Sequence, residues 1–390
     1  MNKKFSLISF TLLISLFTIL LSCRESKKVN EDLPSINIIT KNQLNFENYR
    51  SAKLVYNDDS KIDTLKAYIK FRGGTSVRYE KKSMSIKIGS DFKFNQESGT
   101  SKWILNASYI DKTLMRHKIA FDLFKEMDDD NKSPDCSYVK IFRNNNYQGI
   151  YVLMKRLNEK TLELENSGFI YKEPKIYHDS LYTLDIKKQK YPDRDDSSAY
   201  KSLQDFQRFI HFSDQQDFDR EIFKRIDIQS FADWYLLLLF SNNSDGVLKN
   251  FYVYKTNKKS KLKVAPWDYD HSWGRDGDNE LNMNSDIAEN RSVLFKKLLR
   301  NEEFLSTVKQ RWNKHRKNNV LSFENIKEHI NRNKSIIVHE LEKHFKFWPV
   351  NANWYYDDNN FQQEIDIILD FAEMNISELD KRFGYKKMEN

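Results

Sequence analysis

The stretch SNNSDGVLKNFYVYKTNKKSKLKVAPWDYDHSWGRD, residues 241–276, decides how this chain is read. Asp245 opens it, in an Asp245-Gly246 turn, and Asn250 follows five residues later. Two short alternating runs come next, FYVYK (251–255) and KLKVA (261–265), joined by the turn TNKKS. Asp268 then appears within Trp267-Asp268-Tyr269-Asp270. Upstream, QSFADWYLLLLF is apolar nearly all round, so residues 229–241 are expected to form a buried helix. Asp245-Gly246 alone is a common turn dipeptide, and Asp-x(4)-Asn arises by chance; the ordered set carries the information.

That order, loop Asp, Asn, hairpin, Asp, matches the catalytic segment of protein kinases. Phosphoryl transfer asks little covalent chemistry of a protein. It asks for in-line positioning and neutralised phosphate charge. Magnesium takes hard oxygen ligands and keeps several waters, so a carboxylate and an amide oxygen suffice beside the nucleotide's own phosphates. Asp268 and Asn250 are the candidate metal ligands, with Asp270 beside them. Asp245 is left to orient an acceptor hydroxyl.

Working outward, residues 36–73 read as β, with INIIT and LKAYIKF as runs, then a glycine turn at Arg72-Gly73-Gly74-Thr75-Ser76 and a strand at 83–88. Residues 103–109 form another apolar stretch. Asp111-Lys112-Thr113 predicts a capped helix over 112–127. Strands at 137–142 and 149–154 flank the turn Asn144-Asn145-Asn146. Helices are expected at 200–212, 229–241, 292–315, 322–345 and 360–384. The fold class is therefore α+β: a β-rich N-lobe over 35–165 and a helical C-lobe over 166–386.

The N-terminus reads as an address. Lys3 and Lys4 precede a short apolar run, 5–21, of signal-peptide length. Leu20-Leu21-Ser22-Cys23 resembles a bacterial lipobox, so residues 1–22 are expected to be removed and Cys23 lipidated. Residues 23–34 then form a charged linker from the membrane, and the protein is expected to be extracytoplasmic. That leaves Cys136 alone, which excludes an intrachain disulfide. With 64 Lys and Arg against 56 Asp and Glu the chain is basic. Such a balance suits phosphate; no nucleic-acid module is visible, and a monomer is expected.

Four ordered blocks resemble the CotH kinase family, atypical protein kinases first known from bacterial spore coats. The first is Asp245-Gly246, Asn250 and Pro266-Trp267-Asp268-Tyr269-Asp270 with Trp273-Gly274. The second is Arg72-Gly73, Thr75-Ser76 and Lys81-Lys82-Ser83. The third is Leu105-Asn106-Ala107, Tyr109, Asp111 and Leu114-Met115-Arg116. The fourth is Asn146-Tyr147, Gly149-Ile150-Tyr151. The resemblance implies a kinase-like two-lobed fold that binds ATP with Mg2+ or Mn2+ and phosphorylates Ser or Thr of a protein. It implies Asp245 as catalytic residue and Asp268 and Asn250 as metal ligands. Phosphate would fall to Lys82, with Lys81 next and Lys87 as the generic strand lysine; Arg72 and Arg116 contact phosphate or hold Asp111. The chain departs from the family after Tyr151. Many members carry a Glu there, whereas this chain reads Val152-Leu153-Met154-Lys155-Arg156, with Glu159 close by.

Two other classes compete. A non-catalytic surface assembly module on a kinase scaffold would suit a compartment poor in ATP. A metal-dependent phosphodiesterase or glycosidase would need more carboxylate or His ligands than the segment offers.

Overall fold

Apolar residues alternate with polar ones along the first strands, so each buries one face. Ile36 and Ile38, Leu54 and Tyr56, Ala67 and Ile69, and Met84 and Ile86 all point into one core. The computed structural model describes residues 32–58, 60–94, 99–177, 183–275, 287, 289–350 and 357–386. Cys23 and the leader lie outside the described residues. Residues Leu33–Asn390 form a single unit.

Seven strands close into a barrel. They are β1 (Ser35–Ile39), β2 (Arg50–Asn57), β3 (Ile62–Arg72), β4 (Ser83–Phe92), β5 (Thr100–Asn106), β6 (Cys136–Arg143) and β7 (Asn146–Lys155). Neighbours run antiparallel in the order β1-β2-β3-β4-β5-β7-β6, and β6 closes the ring on β1 in parallel, with Ser35 opposite Lys140. β7 is buried on both sides, which explains its continuous apolar run. Tyr151 and Leu153 face the barrel core. Ile150, Val152 and Met154 face a second core, shared with the helices.

The helix α1 (Arg116–Met127) packs in that second core through Ile119, Phe121, Leu123 and Phe124. A four-stranded sheet follows, ordered β11-β10-β8-β9: β8 (Phe169–Lys172), β9 (Gln189–Tyr191), β10 (Phe251–Lys255) and β11 (Lys263–Pro266). Helices supply the rest: α2 (Ser198–Phe212), α3 (Gln215–Arg225), α4 (Ile228–Ser241), α5 (Val293–Leu298), α6 (Glu302–Lys317), α7 (Phe323–Phe347) and α8 (Phe361–Phe383). α4 is the apolar helix expected before the loop. Asp227 caps it by accepting from the Ser230 N–H at 2.9 Å, and Asn242 ends it in a left-handed conformation.

The α+β expectation holds, strands first and helices after. Three details differ. α1 starts at Arg116 rather than 112, because Leu114 takes a φ of +61° and Asp111 accepts from the Arg116 N–H across that wide turn. The segment 292–315 is two helices, since Asn301 interrupts it and caps α6 by accepting from Phe304 N–H. β2, β8, β9 and α3 were not expected as separate elements.

Among the described residues, no helix is long and apolar enough to cross a membrane.

Candidate active site

α4 delivers the chain to a short turn, Ser244–Val247, that carries Asp245. Asn243 organises it. Its side-chain oxygen accepts from the Gly246 N–H at 2.9 Å, and its amide donates to the Asp268 carbonyl at 3.2 Å. Asn243 is fully buried, so it locks the Asp245 turn to the Asp268 turn. Position 246 needs glycine, because a β-carbon there would collide with the Leu238 side chain packed beneath it. The Asp245 carboxylate stays half open to the cleft and pairs with Lys249 at 2.8 Å.

Asn250 and Asp268 sit at the two ends of the β10–β11 hairpin. Phe251 lies opposite Pro266, and the Trp267 N–H donates to the Asn250 carbonyl at 2.9 Å. Both residues adopt left-handed backbones, φ +63° for Asn250 and +61° for Asp268. Such conformations cost free energy outside glycine and persist where the surroundings enforce them.

The first turn of α1 brings a residue to Asp268 that sequence reasoning missed. His117 is buried, and its Nε2 lies 3.1 Å from Asp268 Oδ1. Ligand atoms of His117, Asp268 and Asp270 all fall within 4.8 Å of one another. Burial opposes charging of His117, but the hydrogen bond to Asp268, with Asp270 and Asp111 behind it, holds its proton affinity above the ordinary range. Burial likewise works against the Asp268 carboxylate, yet His117, Lys172 and Arg72 hold its pKa below the usual range. Asp270 moves the other way: burial and the neighbouring Asp268 charge push it up. Two close carboxylates with opposed proton affinities are a negative centre suited to a divalent cation.

A cleft of about 610 Å³ gathers these groups. Asp245, Asn250, Asp268 and Asp270 line one side, and Gly73, Gly74 and Arg72 another. Arg72 and Lys172 both lie over the Trp267 ring, each 5.5 Å from its centroid. Lys172 and Lys188 share Glu173, at 2.9 and 2.7 Å, and both line the cleft. Lys190 is pushed down to about 8 by burial and by Arg156, Lys172, Arg194 and Lys188. The neighbourhood is thus rich in cations.

The lysines expected to meet phosphate are engaged elsewhere. Lys81 borders the cleft, but it is buried, and its Nζ donates to the carbonyls of Ala107 and Ile150, each at 2.6 Å, over the Tyr151 ring. Burial drives its pKa far down. Lys82 lies outside the cleft lining and donates to the carbonyls of Val77 and Tyr79. Lys87 is exposed on β4, over the Tyr49 ring. Arg116 is fully buried and takes the second of its two expected roles. It holds Asp111 at 2.8 Å, pairs with Glu364 at 3.2 Å and donates to the Ser272 carbonyl at 3.0 Å. Lys172, Lys188 and His117 belong to no motif in the sequence; only the fold assembles them.

At the family departure, Lys155 is buried and pairs with Asp135 at 2.7 Å.

The model of the CotH kinase protein family matches residues 69–379. Inner spore coat protein H of Bacillus subtilis (strain 168) is 27% identical over 256 residues, 62% of this chain and 68% of that protein. The crystal structure of the Helicobacter pylori proinflammatory kinase CtkA aligns with 91% of this chain and 100% of that chain, at 10% identity and a TM-score of 0.30, too low to inform the comparison further. The family match covers well over half of the chain and all of the cleft's described residues from Lys70 to His271: this protein belongs to the CotH kinase protein family.

Proposed function

We propose that the chain is an ATP-dependent protein kinase that phosphorylates Ser or Thr, held outside the cytoplasm by lipidated Cys23. One observation carries the reading: Asp245, Asn250, Asp268 and Asp270 face a single cleft that is also lined by Gly73, Gly74 and the cationic side chains of Arg72, Lys172 and Lys188. The carboxylate and amide donors fit Mg2+ or Mn2+. Asp268 and Asp270, with Asn250, would hold the cation, and Arg72, Lys172 and Lys188 would face the phosphates. When bound, ATP supplies the transferable group and the cation neutralises its charge. Asp245 orients the acceptor hydroxyl and takes its proton. Lys249, already paired with Asp245, fixes that carboxylate's direction. The basic cleft suits an anionic nucleotide, and the apolar leader before Cys23 suits an anchored protein.

The test is labelling. Purified protein with ATP and Mg2+ or Mn2+ should autophosphorylate or label a Ser-rich acceptor, and Asp268→Ala should abolish it. Equal labelling by both proteins would sink the proposal.

A second reading, a catalytically inactive surface assembly module, is favoured by the engagement of Lys81 and Lys82 with backbone carbonyls and by the place of Lys87 on the exposed face of β4. Tight metal-dependent nucleotide binding by calorimetry would exclude a purely structural role.

A further inference from the structure

The phosphotransferase reading leaves His117 without a task. Resting on that reading, we propose that His117 is a direct ligand of the divalent cation, completing a set of one nitrogen and two carboxylates with Asp268 and Asp270. The same set makes the site favour ions that accept nitrogen over Mg2+.

Position comes first. The imidazole is 1% exposed and presents Nε2 to Asp268 Oδ1 at 3.1 Å. His117 is not itself part of the cleft lining; it backs Asp268 and Asp270, which are. The ring cannot swing aside easily. Phe121 meets it edge-on at 5.9 Å from the same helix. The preceding residue, Arg116, is pinned by Asp111, Glu364 and the Ser272 carbonyl.

Partners come second. His117 Nδ1 is buried without a hydrogen-bond partner, so the ring's polar contact in the structure is directed at the carboxylate pair. A buried imidazole aimed at two close carboxylates is more than an acidic cluster. Once a cation displaces the Nε2 proton, the ring supplies the nitrogen donor of a mixed nitrogen and oxygen site.

Ligand chemistry gives the consequence. Mg2+ binds oxygen donors and keeps its waters. Imidazole suits first-row transition ions, and Mn2+ opens the first-row series whose affinity for mixed nitrogen and oxygen sites rises towards Cu2+. A site built from oxygen alone would discriminate less between Mg2+ and Mn2+ than one containing His117.

The probe is Mn2+ alone, added to the detergent-solubilised full chain without nucleotide and read by electron spin-echo modulation. Direct ligation predicts modulation from a bonded nitrogen in the wild type, lost in His117→Gln and kept in His271→Gln. Mn2+ affinity in His117→Gln should fall by at least the roughly 10–100-fold that removing an outer-shell partner already costs. Mg2+ affinity should change less, so the preference for Mn2+ shrinks. Mn2+ bound without nitrogen modulation would overturn the proposal and leave His117 as a hydrogen-bond partner of Asp268. Loss of the signal in His271→Gln would also overturn it, and needs no His117 variant that folds. If the wild type binds neither ion without nucleotide, this proposal fails, while the labelling experiment decides the phosphotransferase reading separately.

Discussion

The Arg116 guanidinium at the start of α1 lies 3.2 Å from the Glu364 carboxylate in the first turn of α8, and both side chains are fully buried. Glu364 also binds Arg275, Arg275 binds Asp357 at 3.0 Å, and Asp357 takes Lys112 at 2.7 Å. Asp111 completes the series on the other side of Arg116. This chain of alternating charge ties the turn that carries His117 to the last helix. Removing one member of a buried pair leaves an uncompensated charge, which costs about 3–5 kcal/mol. Glu364→Gln should lower unfolding stability by that amount in urea titration, and it should weaken metal binding because Arg116 positions its neighbour His117.

Asp357 gives the network an acid limit. Burial opposes its charge, but Lys112, the Asn359 N–H and Arg275 hold its carboxyl at about 2 in the folded protein. A depressed carboxyl contributes stability that is complete above its unfolded value, near 4, and is lost as pH falls towards 2. Urea midpoints measured between those limits should fall more steeply in the wild type than in Asp357→Asn. Parallel curves would refute the assignment.

Gly149 should not tolerate a side chain. Its φ is +93°, and an added β-carbon would lie 2.7 Å from His344 Nδ1 and 3.0 Å from the Trp348 ring. His344 cannot retreat without releasing the Ile150 N–H, which it accepts at 3.1 Å. Strain and overpacking each cost about 1–3 kcal/mol. Gly149→Ala should therefore lower the melting temperature clearly, as differential scanning calorimetry would show.

Nucleotide affinity should separate the cleft cations from the strand lysines. A charge-assisted hydrogen bond is worth about 1.5–3 kcal/mol. Lys172→Ala should weaken ATP binding about tenfold or more by calorimetry. Lys87→Ala, which removes a charge from the exposed face of β4, should leave affinity nearly unchanged.

Turnover should depend on Asp245 in a different way. General acid–base residues contribute about 10²–10⁴-fold. Asp245→Asn should lose that factor in phosphate transfer while nucleotide binding persists. Equal losses in both would mean that Asp245 holds the turn rather than acting on the acceptor.

What the sequence disclosed was mostly local. α4, the Asp245 turn and the β10–β11 hairpin follow one another along the chain, so apolar patterning and turn residues announce them directly. The meeting of His117 with Asp268 is a tertiary contact between a helix start and a hairpin exit, and no spacing encodes it. β8 and β9 are too short to show a period; β8 exists because β10 offers an edge to pair with, and β9 because β8 then offers the next. The surroundings of the candidate phosphate lysines were illegible for a similar reason. A lysine beside a strand says nothing about which carbonyls will surround it: for Lys81, that of Ala107 lies just past the end of β5 and that of Ile150 lies within β7.

Barrel closure also sets a timetable. β1 is held on one side by β2 and on the other by β6, where Ser35 meets Lys140. A chain emerging from its N-terminus can form the β1–β2–β3 meander early, but the ring cannot shut until β6 has been delivered. Until then the outer edge of β1 presents unpaired backbone to any other strand nearby. Non-local pairings of this kind are reached slowly. Vectorial synthesis therefore exposes this protein longest at β1, and misassembly between nascent copies should begin there.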